Sequence, residues 1–101
     1  MTTDAIIEKK RVTSKQLKEP TKFKVIVCND NITSVEFVIN MLMSIFSYTE
    51  KNAMELTLKI HNQGSAIAGI YTYEIAEQKS LDATDMARSN GYPLLIKIEA
   101  E

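Results

Sequence analysis

"KFKVIVCNDNITSVEFVINML", residues 22–42, changes its hydrophobic period once, at Asn29-Asp30-Asn31. Before that point Phe23, Val25 and Val27 fall on one face of an extended segment, with Ile26 and Cys28 on the other, so residues 22–28 read as a strand. After it Val35, Val38, Ile39, Leu42, Ile45 and Phe46 recur at helical spacing. "TSVE" (33–36) fits a capping box, with Thr33 as N-cap and Glu36 three residues on. Three adjacent amide and carboxylate side chains therefore stand where a strand becomes a helix.

Outward from this junction, "SYT" (47–49) breaks the helix, and Thr49 can cap the next. In that second helix Ala53, Leu56 and Ile60 share one face, and Met54, Leu58 and His61 form an adjacent stripe that suggests a semi-buried histidine. Gly64 suits the C′ residue that stops it. "SAIAGIYTY" (65–73) reads as a strand in which Gly69 marks a bulge or a close backbone approach. A third helix runs from about Glu74 to Asn90, ends at Gly91 before Pro93, and "LLIKIEA" (94–100) closes the chain as a strand. The order βααβαβ predicts an α+β sandwich, a small three-stranded antiparallel sheet packed against three helices.

The bulk properties bound the function. A chain of 101 residues, 45% hydrophobic with a formal charge of −1, suits one small globular domain. Residues 1–21 carry five Lys/Arg against three acids, and the remainder seven against ten, so a basic arm (1–21) precedes a core domain (22–101). Its excess is small and carries no aromatics, which argues against nucleic acid as partner. The one cysteine, Cys28, cannot form an internal disulfide and fits a buried thiol in a reducing compartment. No apolar run approaches a membrane span, and "MTTDAIIEKKRV" lacks the pattern of a secretory signal. A cytoplasmic protein is expected.

The junction also has chemistry. Asn29 and Asp30 offer acceptors, and Asp30 adds a negative charge. If the second helix turns His61 toward them, an amide oxygen, a carboxylate and a neutral imidazole nitrogen converge on one point. No metal-ligand spacing and no nucleophile accompany them, and three acceptors suit a primary ammonium group, which presents three N–H donors. Val35, Val38, Ile60 and Leu94 could line an apolar hole beside it, which together describes a receptor for the first residue of a peptide. The same residues admit plainer readings. Asn-Asp-Asn before a helix also forms capped turns, and a histidine on an apolar stripe also serves structure alone.

From about Lys22 to Ile98 the chain resembles the ClpS family, adaptors that deliver N-degron substrates to the Clp protease. The segments carrying the resemblance are "KVIVCNDN", "EFVINML" with "FSYT", "KIHNQGSAIAG", "YEIAEQK" and "ARSNGYPLLIKIE". The resemblance implies a non-enzymatic adaptor whose pocket takes substrates beginning with Phe, Tyr, Trp or Leu. It implies that Asn29, Asp30 and His61 meet the α-ammonium, while Thr33, Val38, Ile60 and Leu94 line the side-chain pocket. Glu74 and Lys79 match positions that contact the N-terminal domain of a ClpA- or ClpC-type AAA+ unfoldase, although an ordinary solvated helix face would read the same. It implies no cofactor, no metal and a monomer, and the 1–21 arm corresponds to the segment the unfoldase engages.

The chain also departs from that family's pattern. Asn31 stands where a second acid is usual, Ile32 replaces an aromatic, and Ser34 replaces a proline. Val35 takes the place of a gatekeeper methionine at the pocket mouth, and Thr57 that of a second pocket methionine. Val is shorter and stiffer than Met, and Thr brings a hydroxyl, so aromatic first residues are expected to be held more securely than Leu. Two rivals remain. A ribosomal-stalk-like interaction domain would have no use for Asn29, Asp30 and His61, and a small hydrolase using His61 and Asp30 would lack an evident nucleophile.

Overall fold

Val25 and Val27 are fully buried in strand β1 (Lys22–Cys28), the centre of a sheet ordered β2-β1-β3. The computed structural model describes residues 21–101, so the 1–21 arm, all but Thr21, lies outside the described residues. After β1 come α1 (Val35–Phe46), α2 (Glu50–Gln63), β2 (Ser65–Thr72), α3 (Tyr73–Ser89) and β3 (Leu95–Ala100). Both edge strands pair antiparallel to β1, and the predicted βααβαβ order is observed. The largest fully buried side chains are Met41, Leu42, Leu94, Val25 and Val27, which join the inner face of the sheet to α1. On α3 the inward stripe is Ala76, Ala83 and Ala87, all fully buried, and these short side chains let the helix lie close against the strands.

The helix ends follow local chemistry. The α1 cap is Ser34 rather than Thr33: the Phe37 amide donates to Ser34 Oγ at 3.1 Å, while Thr33 Oγ1 is committed to Asp30 at 2.8 Å. At the other end Ser47 adopts φ 62 and its N–H returns to the Leu42 carbonyl. Thr49 caps α2 by accepting from the Asn52 amide at 3.1 Å. Gly64, at φ 91, closes α2 by donating its N–H to the Ile60 carbonyl, a conformation that a side chain would strain. The last strand begins at Leu95, one residue later than the sequence pattern suggests, where pairing with Cys28 at the end of β1 starts; the Leu94 carbonyl instead accepts from Arg88 Nη1 at 3.0 Å.

Strand β2 carries a bulge. Val25 pairs with Gly69 but Ile26 with Ile67, so Ala68 is the extra residue. The Tyr48 hydroxyl donates to the Ala68 carbonyl at 2.6 Å, supplying that displaced backbone group with a partner. Gly69 is needed one residue on, since a Cβ there would run into the Tyr71 ring.

Candidate functional site

The β1–α1 junction is held by its own side chains. Asp30 Oδ1 accepts from the amides of Ile32 (2.8 Å) and Thr33 (2.7 Å), and Oδ2 accepts from the Thr33 hydroxyl at 2.8 Å. Among the described residues, three donors on two carboxylate oxygens leave one acceptor direction on Oδ2 unused. Burial pushes the Asp30 carboxyl up, but the hydrogen bonds from Thr33 and Ile32 and the charge of Arg88 outweigh it, so the group stays ionised below the usual range. The next turn is braced by residues distant in sequence. The Tyr92 hydroxyl donates to Ser34 Oγ at 3.2 Å, the Tyr92 ring lies 5.1 Å from that of Phe37, and Arg88 Nη1 donates to the Tyr92 carbonyl at 2.9 Å.

Backbone register brings α2 to this corner. Cys28 pairs with Ser65, and the Asn29 amide extends the ladder by donating to the Gly64 carbonyl at 2.8 Å. His61 lies three residues before Gly64, on the last turn of α2, so the ladder draws that turn toward Asn29. A cavity of about 240 Å3 results, with polar walls from Asn29, Asp30, Asn31, Thr33 and His61 and the remainder from Val35, Val38, Thr57 and Ile60. Whole small-molecule sites run to roughly 300–1,000 Å3, so this volume suits a single side chain with its amine. Val38 and Ile60 are buried, as is Thr57, whose hydroxyl donates back to the Ala53 carbonyl at 2.7 Å and so presents its methyl group to the cavity.

Two positions differ from expectation. His61 is exposed rather than semi-buried, because among the described residues no other element covers the α1–α2 seam on which it stands. Leu94 is only 1% exposed within the core and is not among the residues lining the cavity. Asn31, one of the positions where the chain departs from the resembled pattern, joins the lining, whereas the supports Arg88, Tyr92 and Ser34 carry no individual mark of that role in the sequence. The one signal for Arg88 and Tyr92 was the segment "ARSNGYP" (87–93), while Ser34 lies in "TSVE" (33–36).

On α3, Glu74 is exposed. Lys79 is engaged within the fold: its Nζ donates to the Ile45 carbonyl in the last turn of α1 at 2.9 Å and stands 5.9 Å and 5.5 Å from the ring centres of Phe46 and Tyr71. Among the described residues no group of three or more His, Cys, Asp or Glu is placed to hold a metal ion, and no helix is long and apolar enough to cross a membrane.

Comparisons with known proteins point to one family. The family model for "ATP-dependent Clp protease adaptor protein ClpS" matches residues 18–97. An ATP-dependent Clp protease adapter protein ClpS from Helicobacter hepaticus is 45% identical over 83 residues, 82% of this chain and 84% of that protein. Its counterpart from Sodalis glossinidius is 40% identical over 97 residues, 92% of each. Among solved structures, Agrobacterium tumefaciens ClpS2 bound to L-phenylalaninamide superposes with a TM-score of 0.80 at 34% identity, covering 82% of this chain and all of that one.

Proposed function

The chain belongs to the ClpS family of ATP-dependent Clp protease adaptors, and from that premise we propose how it reads its substrates. It is an adaptor and not the protease: it binds proteins that begin with a bulky hydrophobic residue and passes them to the Clp machine. L-phenylalaninamide, the ligand of the Agrobacterium relative, is a free α-amine, a benzyl side chain and an amide, which is the start of a peptide and no more. Here Asn29, the open lone pair of Asp30 Oδ2 and His61 accept from such an α-ammonium, and Val38 and Ile60 receive the side chain. Thr33 holds Asp30 in place, Val35 stands at the mouth, and the buried Thr57 lines the side-chain pocket. The observation carrying this reading is the single cavity that joins acceptors from the β1–α1 junction to His61 beside buried apolar walls. A ribosomal-stalk-like role leaves those acceptors unused and is not favoured by the family match.

We further propose that the partner is the N-terminal domain of a ClpA- or ClpC-type unfoldase, met through the exposed Glu74 with Lys79 beside it, and that the adaptor works as a monomer in the cytoplasm. Titration of a Phe-initiated peptide with free and acetylated N-termini tests the amine reading. Each charge-assisted hydrogen bond contributes ~1.5–3 kcal/mol, so acetylation is expected to weaken binding by at least about tenfold. Equal binding of both forms would overturn it. With Phe, Tyr, Trp and Leu compared at the first position, the aromatics are expected to bind more tightly. Equal affinity for Leu and Phe would remove that preference while leaving amine recognition intact.

A further inference from the structure

Beside the cavity runs a second depression of about 310 Å3 along the outer seam of α1 and α2, lined by Val35, Ile39, Met54, Thr57, Leu58 and His61. Val35, Thr57 and His61 line both, so the two open side by side at the same corner. Among the described residues the groove's lining contains no Lys, Arg, Asp or Glu, and its apolar members are unusually accessible: Met54 is 50% exposed, Val35 57% and Leu58 61%. From Met54 to His61 a helix advances about 10 Å, and an extended residue covers ~3.3–3.6 Å, so the groove has room for the residues that follow a peptide's first.

We infer that this groove receives an apolar side chain at the second position of the bound peptide. The inference rests on the function proposed above and sharpens its substrate class to peptides with a hydrophobic pair at the start. The occupant is argued from continuity: a chain whose amine meets Asn29 and His61 has its second residue nearest the walls the two depressions share. The chemistry also fits, since an apolar side chain laid there removes Met54 and Leu58 from water, and the unbranched Met54 adapts to different shapes.

The test uses the full chain and peptides with free amines and otherwise identical polar sequences, beginning Phe-Leu, Phe-Ser and Phe-Ser-Leu. Phe-Leu is expected to bind about three- to tenfold more tightly than Phe-Ser. In Leu58→Ser and in Met54→Ser that ratio is expected to fall toward one. Because the ratio compares two peptides on one variant, it does not depend on the fraction of each preparation that is folded. Equal binding of Phe-Leu and Phe-Ser by the parent chain, both lost on acetylation, would overturn this inference and leave amine recognition standing. A gain from Leu at the third position alone would overturn the assignment to the second. Binding indifferent to acetylation would remove the underlying function, and this inference with it.

Discussion

Asp30 is the residue on which the corner turns. Its carboxylate gathers two amides and a hydroxyl from its own loop, and its folded proton affinity lies below that of the ordinary value of 3.8. A group depressed in this way contributes its stability in full above about pH 3.8 and loses it as pH falls through the lower folded value. Asp30→Asn is therefore expected to unfold at lower urea than the parent near neutral pH, by an amount comparable to a lost capping side chain, about 1 kcal/mol. The gap should narrow below pH 3.8. A gap that stays constant across that range would mean that the charge is not what holds the loop. The same carboxylate explains why the cap moved by one residue from its expected place. Thr33 and Ser34 are both competent caps, and nothing in the local pattern tells them apart; Asp30 engages the Thr33 hydroxyl and leaves Ser34 to accept from the helix.

At the scale of elements, all six segments were legible because each shows a clear period and most end in recognisable chemistry, such as Thr49 and Gly64 at the two ends of α2. Gly69 announced an irregular strand, but the extra residue proved to be Ala68, which depends on pairing with β1 and has no local mark. This bulge yields a separable prediction. Gly69→Ala sets a methyl group against the Tyr71 ring and is expected to cost about 1–3 kcal/mol, the range for overpacking. In a Tyr71→Ala background most of that cost should vanish, measured as the coupling in a double-mutant cycle by urea unfolding. Additive effects would place the cost in the backbone of the bulge and not in the ring. The apolar stripe of α2 was legible as a stripe but not as exposed, since a hydrophobic face looks the same in sequence whether or not anything covers it.

Across the whole molecule, the candidate site and the proposed unfoldase surface lie on different helices, and Lys79 ties α3 to the end of α1. Two variants separate structure from partner contact. Lys79→Ala is expected to lose about 1 kcal/mol of stability, because it strips a carbonyl of a charged donor. Glu74→Ala, a change on an exposed face, should leave stability within about 0.5 kcal/mol yet weaken binding to the unfoldase's N-terminal domain. Unchanged binding in Glu74→Ala would move the partner surface elsewhere. Most of the candidate site's lining could be expected from the chain because its members flank the strand end and the glycine stop, although Leu94 is buried in the core and stays out of it. Its braces could not, since Arg88 and Tyr92 reach Asp30 and Ser34 from more than fifty residues away.

The hydrogen bond from the Asn29 amide to the Gly64 carbonyl makes the gap between the two sides of the corner a dimension of the backbone. It behaves as a ruler that no side chain can lengthen. On the proposed reading, drift at Val35 or Thr57 can alter which residue is admitted without altering the span across which an amine is gripped, so a lineage can change its selectivity while keeping its hold.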